Sequence, residues 1–199
     1  MTFVGLLLTI GSLFVALAFA NRVQERPAEK SGLTAYEDHD AYEVYSAVLP
    51  ATREMSHQGS TLLIQQETQP LIPMSDCGRP SGKYVNIAPA FDQYREVNRE
   101  PRLLQPKFSL NRPYALKPIR LLEMYSHPST TLPSLTVHHL TLSAVGFNDS
   151  RTIAVFYVSD YCPGVTCSSG QLYAAQKKNG EWKPISWANE CGWISQAKQ

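Results

Sequence analysis

The first half of the chain carries the apolar spacing of an amphipathic helix, followed by a proline. The positions i, i+3, i+4, i+7 and i+8 are filled by Ala41, Val44, Tyr45, Val48 and Leu49. Residues at these intervals form one face of a helix, and Pro50 ends it. Thr34 and Glu37 match a capping box, which predicts that Thr34 is the N-cap of this helix.

A second, shorter helix is predicted over Ala90–Glu100. Its apolar positions with helical spacing are Phe91, Tyr94 and Val97. Pro89 suits the first turn, where a missing N–H costs no hydrogen bond. Further along, Leu116–Tyr125 is apolar, but its pattern does not decide between strand and helix.

The C-terminal third has the alternation that is typical of β-strands. Val137–Phe147 alternates between apolar and polar positions, and Ser60–Thr68 is a shorter β-rich stretch upstream. Thr152–Val158 is apolar on both faces, which predicts a central strand covered on both sides.

A tight hairpin is predicted where Asn179-Gly180 separates Gln171–Lys178 from Glu181–Trp187. Pro184 lies within the second of these strands. Because proline cannot donate a hydrogen bond to a sheet ladder, this last strand is expected at an edge.

Together these elements predict an α+β fold, an antiparallel β-meander with one or more helices packed on one face. The composition adds that 43% of the 199 residues are apolar, which is enough for a hydrophobic core. One domain over residues 34–199 accommodates all of the elements. The formal net charge of +1 argues against a dedicated nucleic-acid binder, because such proteins usually carry a basic excess.

Residues 1–20 are expected to be a signal peptide. Phe3–Ala20 contains no charge, ends in the small-x-small tripeptide Ala-Phe-Ala, and is followed by polar sequence. The segment lacks the Lys or Arg that normally precedes the apolar run. An uncleaved membrane anchor is therefore the alternative, since its 18 residues just span a bilayer. Residues 21–33 are predicted to be a flexible leader.

Cysteine usage favours export to the periplasm or outside the cell. An even number of cysteines, here four, is typical of disulfides in a small exported domain. The pairing we favour is Cys162–Cys167, whose thiols the intervening Pro-Gly turn brings together, which leaves Cys77–Cys191. Sequence alone leaves the other pairings open. A zinc or redox role fits less well, since C-x4-C has no second close ligand pair and no helix N-terminus beside it.

Four stretches carry a combination of motifs along most of the chain. They are AYEVYSAVLP, FDQYREVN, LTLSAVGFNDSRTIAVFYV and GQLYAAQKKNGEWKPISW. Together they resemble a family of exported bacterial proteins of unknown function, which share a hydrophobic leader, an early helix, a VGFN-containing strand pair and a final G-x-W hairpin. The resemblance implies a shared fold and brings no activity or catalytic residue with it. SHPSTTLPSL departs from the pattern, because the family has a longer, aromatic-rich segment there.

Residues for a dispersed hydrolytic triad are present, although no G-x-S-x-G elbow is found. The nominees are Ser143 as nucleophile, His138 or His139 as base, and Asp149 or Asp160 as acid. The two histidines are adjacent on an alternating strand, so they point to opposite faces. The simpler interpretation is that all of these residues serve ordinary turns and strands.

Three other groups have structural interpretations. The acidic residues at the first helix form a solvated face rather than a glycosidase pair: Glu37, Asp38, Asp40 and Glu43. The aromatic residues of the C-terminal region are more typical of packing than of recognition: Tyr157, Tyr161, Tyr173, Trp182, Trp187 and Trp193. Asn148-Asp149-Ser150 matches a glycosylation sequon, but in a bacterial protein it is simply a turn.

The sequence therefore predicts an exported, non-catalytic binding or interaction domain, with an exported hydrolase of dispersed active site as the alternative. No cofactor, metal or nucleic-acid partner is expected. The partner is an unknown protein or small ligand, and a membrane only if the N-terminal segment stays uncleaved. A deep polar pocket holding His138 or His139 beside an acid and a nucleophile would favour the hydrolase. A shallow surface with exposed aromatic residues would favour binding.

Overall fold

The computed structural model describes residues 32–57, 61–71, 78–119, 122, 139–161, 169–187 and 192–194. The two helices are α1 (His39–Val48) and α2 (Ala88–Val97). The strands are β1 (Leu62–Gln65), β2 (Tyr114–Lys117), β3 (His139–Leu142), β4 (Gly146–Phe147), β5 (Ile153–Tyr161), β6 (Ser169–Lys178), β7 (Glu181–Ile185) and β8 (Gly192–Ile194). Short 3₁₀ turns cover Leu49–Ala51, Glu54–His57 and Gly82–Ile87. The N-terminal segment Phe3–Ala20, all four cysteines and His138 lie outside the described residues.

The strands form one sheet in the order β2-β1-β3-β5-β6-β7, with β4 paired to β5 and β8 paired to β6. The predicted α+β class is confirmed. The sheet is mixed, however, and not wholly antiparallel as expected. The meander from β3 to β7 is antiparallel, whereas β1 pairs in parallel with both β2 and β3. Long connections before β2 and β3 make parallel pairing possible, because a hairpin joins only antiparallel neighbours.

β5 is the centre of the sheet, and its side chains enter two separate hydrophobic cores. Every residue from Ile153 to Asp160 is buried. Ala154, Phe156 and Val158 point into one core, and the alternate positions Ile153, Val155 and Tyr157 point into the other. This two-sided burial confirms the prediction of a central strand at Thr152–Val158 and requires a cover on each face.

Each face of the sheet is covered by one helix. α1 packs on the first face, where Tyr45 meets Phe156 edge-on with ring centroids 5.3 Å apart. α2 packs on the second face through Phe91 and Tyr94, and Phe91 contacts Trp187 edge-on at 6.1 Å. The sequence predicted helices on one face. The apolar stripes of α1 and α2 do not show which face of the sheet each helix covers. Only the apolar residues on both faces of β5 indicate that each face must be covered.

α1 does not begin as the capping box predicted. Its N-cap is Asp38, whose carboxylate accepts a hydrogen bond from the Ala41 backbone N–H at 3.4 Å. The carbonyl of Thr34 accepts a hydrogen bond from the Leu103 N–H, and Glu37 pairs with Lys107. Asp is as good an N-cap as Thr, and the strand-like contact with Leu103 holds Thr34 out of the helix.

The predicted hairpin between β6 and β7 is confirmed. Asn179 has φ 53° and Gly180 has φ 84°, and positive φ at both central residues defines a type I′ turn. β7 is the last strand in the sheet order, which confirms the edge position inferred from Pro184.

The close approach of α2 to the sheet depends on Gly146 in β4. A Cβ atom at this position would lie 2.1 Å from the Tyr94 backbone N and 2.5 Å from the Ala90 carbonyl oxygen. Beside it, the buried Asn98 at the end of α2 accepts a hydrogen bond from the Ala144 N–H and donates to the Ala144 carbonyl. The segment Ala144–Gly146 therefore fixes where α2 ends and how near it lies.

Replacing Gly146 with Ala is expected to destabilise the protein by at least about 3 kcal/mol, because the new methyl group meets helix backbone that cannot move aside. Gly78→Ala is the matched control, since a Cβ there would have nothing within 4 Å. Urea unfolding followed by circular dichroism measures both. Equal stability of the two variants would contradict the packing described for α2.

Candidate functional site

An open groove of about 710 Å³ lies beside α1 on the first face of the sheet. Three segments that are distant in sequence line it. They are the α1 residues His39, Tyr42, Glu43, Ser46 and Ala47, the extended-segment residues Lys107 and Ser109, and the hairpin residues Gly180, Glu181 and Trp182. We call it the α1 groove. Its volume lies within the usual range for small-ligand sites.

α1 presents to the groove the side opposite its core stripe. Ala41, Val44, Tyr45 and Val48 are buried against the sheet, and Glu43, Ser46 and Ala47 fall on the other side of the helix. The exposed Ala47 leaves room along this surface because its side chain is a single methyl group. The amphipathic period of α1 therefore both builds the core and opens the groove.

Hydrogen bonds hold the wall formed by the extended segment against α1. The Ser46 hydroxyl donates to the Tyr42 carbonyl at 2.6 Å and accepts from the Ser109 N–H at 2.8 Å. The Tyr42 hydroxyl donates to the Tyr36 carbonyl and accepts from the Gln105 N–H at 2.7 Å. Burial raises the pKa of Tyr42 to about 12, so the phenol stays protonated and keeps donating at neutral pH.

A network of alternating charges borders the groove and joins α1 to the β4–β5 turn and to β6. The Arg151 guanidinium contacts Asp38 and Asp40, each at 2.6 Å. Lys177 then lies 3.7 Å from Asp40 and 3.3 Å from Glu43. Because three carboxylates share two cations, the network keeps one negative charge in excess.

Two lysines also lie over the aromatic rings that line the groove. The Lys177 Nζ is 5.4 Å from the centre of the Trp182 ring, and the Lys107 Nζ is 6.0 Å from the centre of the Tyr42 ring. Lys107 is at the same time ion-paired with Glu37. The protein's own cations therefore already occupy the positions where a cationic ligand would meet these aromatic faces.

The indole of Trp182 carries an unused hydrogen-bond donor. The side chain is 7% exposed and packs against Phe147 with ring centroids 5.8 Å apart. Its Nε1 has no acceptor among the residues that the structure describes. A buried N–H without an acceptor costs about 1–3 kcal/mol, and most buried polar groups in proteins have a protein or water partner.

His39, Asp40 and Glu43 have donor atoms within 4.8 Å of one another, a spacing that suits a divalent cation. The pKa of Asp40 is lowered by its hydrogen bond from Arg151, and Lys177 pairs with both carboxylates. A metal ion would have to displace these cations from a surface site. Both carboxylates of the cluster are therefore already engaged in an ion-pair network.

The nominated hydrolytic residues that the structure describes are not brought together. His139 lies on β3 opposite Tyr161, so it faces the other side of the sheet from Asp160. Ser143 is four residues along the chain from His139, about 13 Å in an extended strand. Its hydroxyl donates to the Ala144 carbonyl and accepts from the Tyr157 N–H. Asp149 lies in the exposed turn before β5. His138 lies outside the described residues, and the four nominees that are described form no triad.

Asp160 and Glu54 are both buried on the first face, near one end of β5. The Tyr173 hydroxyl donates to Glu54 at 2.6 Å, and the Ser169 hydroxyl lies 3.4 Å from its other carboxylate oxygen. Burial, and after it the hydrogen bond to Glu54, raises the pKa of Tyr173 well above its ordinary value. These contacts tie the 3₁₀ turn at Glu54 to β6.

Most of the aromatic residues named from the sequence serve packing, as predicted. Tyr157, Tyr173, Trp182 and Trp187 are buried, and Tyr161 is half-exposed beside His139. The sequon residue Asn148 uses its amide inside the turn, accepting from the Thr152 and Ile153 N–H groups. Sequence reasoning missed Lys107, Arg151 and Lys177, whose partners come from segments far away in the chain.

Comparison of the chain with protein-family models, with curated proteins and with solved structures finds no match. In the described part of the chain, no helix has both the length and the apolar character to cross a membrane.

Asp40→Asn is expected to lower the free energy of unfolding by about 1 kcal/mol at neutral pH, because it removes the carboxylate that Arg151 and Lys177 share. The folded-state pKa of Asp40 is depressed, so its contribution is complete above the unfolded value of about 4 and fades as the pH falls through the folded pKa.

The difference in the free energy of unfolding between wild type and Asp40→Asn should therefore shrink towards zero in acid. Urea unfolding at neutral pH and at about pH 2–3 measures it. Glu96→Gln, which breaks the exposed pair with Arg99, is the control and is expected to have a smaller effect. A difference that stays constant over this pH range would show that Asp40 is not held by the network.

Proposed function

We propose that this protein is an exported, non-catalytic binding domain whose ligand occupies the α1 groove. The observation that carries the proposal is the groove itself, an open surface of ligand-site volume lined by Tyr42, Glu43, Lys107 and Trp182.

The rigidity of the lining also supports a binding role. Tyr42, Ser46 and Ser109 are tied together by hydrogen bonds, and Glu43 is held by Lys177. A site whose side chains are already fixed loses little conformational entropy when a ligand binds. A smaller part of the favourable interaction free energy is then offset by the cost of ordering the protein.

Export is supported by the sequence alone. Phe3–Ala20 has the length and polarity of a signal peptide, and four cysteines suit an oxidising compartment. The periplasm or the outside of the cell is the proposed location. Retention of the first segment would make the protein membrane-anchored instead.

The binding role is tested by nuclear magnetic resonance, with ¹⁵N-labelled protein titrated with neutral, cationic and anionic small-molecule fragments. At least one class should shift the Trp182 indole N–H together with amides of α1. Ala47→Trp should abolish the shifts, since it fills the groove from an exposed position. Ala51→Trp adds the same bulk at an exposed position outside the groove lining and should leave them intact. Shifts that avoid the groove, or that survive Ala47→Trp, would contradict the proposal.

Maturation is tested by intact-mass analysis and non-reducing peptide mapping of protein recovered from the cell envelope. The expected product lacks residues 1–20 and contains Cys162–Cys167 and Cys77–Cys191 disulfides. Recovery of the full chain in the membrane fraction would instead establish the anchored form. Four reduced cysteines in the cytosol would rule out export.

A further inference from the structure

We infer that the outer edge of β2 pairs with the same strand of a second copy of this chain and thereby forms a symmetric dimer. This surface is separate from the α1 groove, and the inference does not depend on the ligand proposed there. β2 stands at one end of the strand order and pairs with β1 on its inner edge. β7, at the other end, contains Pro184, whereas β2 contains no proline that would block pairing.

The hydrogen bonds to β1 show which backbone groups of β2 lie on the outer edge. The Gln66 N–H donates to the Lys117 carbonyl at 2.8 Å. Successive residues of a strand direct their backbone groups to opposite edges, so Tyr114 and Leu116 direct theirs away from β1. In the part of the chain that the structure describes, these two N–H groups and two carbonyls have no hydrogen-bond partner.

The positions of these four groups favour one register of pairing. Pro118 would be the next outward residue, but it has no N–H to donate. Antiparallel pairing centred on Ala115 places Tyr114 opposite Leu116 of the second copy, and facing residues of this kind exchange two hydrogen bonds. The two-fold axis repeats the pair, so all four outward groups are used in this register.

The same register brings suitable side chains together. Tyr114 and Leu116 pack against the first hydrophobic core but stay partly exposed, and Tyr114 contacts Phe108 edge-on at 5.3 Å. Facing residues lie on the same side of a sheet, so Tyr114 of one copy meets Leu116 of the other and the core continues across the axis. Ala115 faces itself where the Cα atoms are about 4.5 Å apart, a spacing that suits a small side chain.

Charge does not oppose this pairing. Lys117 is the only charged residue of β2. In the register centred on Ala115, it lies opposite Pro113 of the second copy, so the two lysines are four residues apart along the ladder. That separation is about 14 Å, which exceeds the screening length of about 8 Å at physiological ionic strength. Repulsion between the two copies is therefore weak at this edge.

A second copy suits this edge better than a flexible peptide does. Four hydrogen bonds are few, and a free peptide would lose conformational entropy when it became extended. In the folded protein, β2 is already held extended by β1. The contact is nevertheless small, because a four-residue strand buries less than the roughly 1,200 Å² that is typical of stable interfaces. The expected dimer is therefore weak and dissociates on dilution.

The dimer is tested by sedimentation velocity on the purified protein at concentrations from about 1 μM to about 1 mM. The weight-average mass should rise from that of a monomer towards that of a dimer. Over the same range, hydrogen exchange at the Tyr114 and Leu116 amides should slow, because pairing gives both amides an acceptor. Exchange at the exposed turn residue Asp149 should not change.

Charged substitutions at the two-fold axis locate the contact. Ala115→Lys and Ala115→Glu should each weaken the dimer by at least about tenfold, because like charges then face each other directly. An equimolar mixture of the two variants should recover association, because opposite charges then meet at the axis. Ala51→Lys and Ala51→Glu change an exposed alanine outside β2 and are the matched controls, which should dimerise as wild type does. Thermal unfolding of each variant verifies that it is folded.

Several results would overturn the inference, and none of them bears on the groove. A protein that stays monomeric up to the highest concentration has no such dimer. In that case, protection of the Tyr114 and Leu116 amides at every concentration would show that another part of this chain covers the edge, and exchange without protection would leave the edge open to a different extended partner. A dimer that the Ala115 variants do not weaken, or that their mixture does not restore, would place the contact elsewhere.

Discussion

The two-sided burial of β5 is the constraint on which the rest of the structure depends. A strand with apolar side chains on both faces cannot expose either face to water, so each face of the sheet must be covered by another element. α1 supplies one and α2 the other, and each brings large aromatic side chains: Tyr45 against Phe156, and Phe91 against Trp187. Burying a single large side chain of this kind contributes about 1.5–3 kcal/mol, so the two layers together dominate the stability of the sheet.

The placement of α1 has a second result. With one side of the helix committed to the sheet, its other side borders the β6–β7 hairpin and the segment around Lys107. The groove is thus produced by the packing requirement of β5 and by the hairpin that follows it. The solvent-facing side of α1 forms the floor of the groove, and the neighbouring segments that extend beyond the helix form its walls.

The sequence predicts the elements of this fold better than their arrangement. Local signals were sufficient for the central strand, for the Asn179-Gly180 turn and for the edge position of Pro184, because each depends on a few neighbouring residues. The parallel pairing of β1 depends on segments joined by long connections, which no local pattern encodes. The N-cap was misplaced because Thr34 and Asp38 are both good caps, and a distant contact with Leu103 decides between them.

The candidate site was harder to predict from the sequence, because its ion pairs join residues that lie far apart in the chain. In the sequence, the pattern of acidic residues indicates an ordinary solvated helix face, formed by Asp38, Asp40 and Glu43. Their partners Arg151 and Lys177 lie more than a hundred residues away and have no recognisable motif around them. Trp182 was visible as part of an aromatic group, but only its environment shows that its N–H is unused.

The edge strand has a consequence for how this molecule behaves when crowded. An outermost strand with a full row of free N–H groups is a template on which a second copy can extend the sheet, and repeated extension leads to fibrils. Pro184 removes one of those N–H groups, and Lys183 beside it places a charge where an incoming strand would have to approach. Both features make β7 a poor template for extending the sheet, which favours discrete molecules at high local concentration.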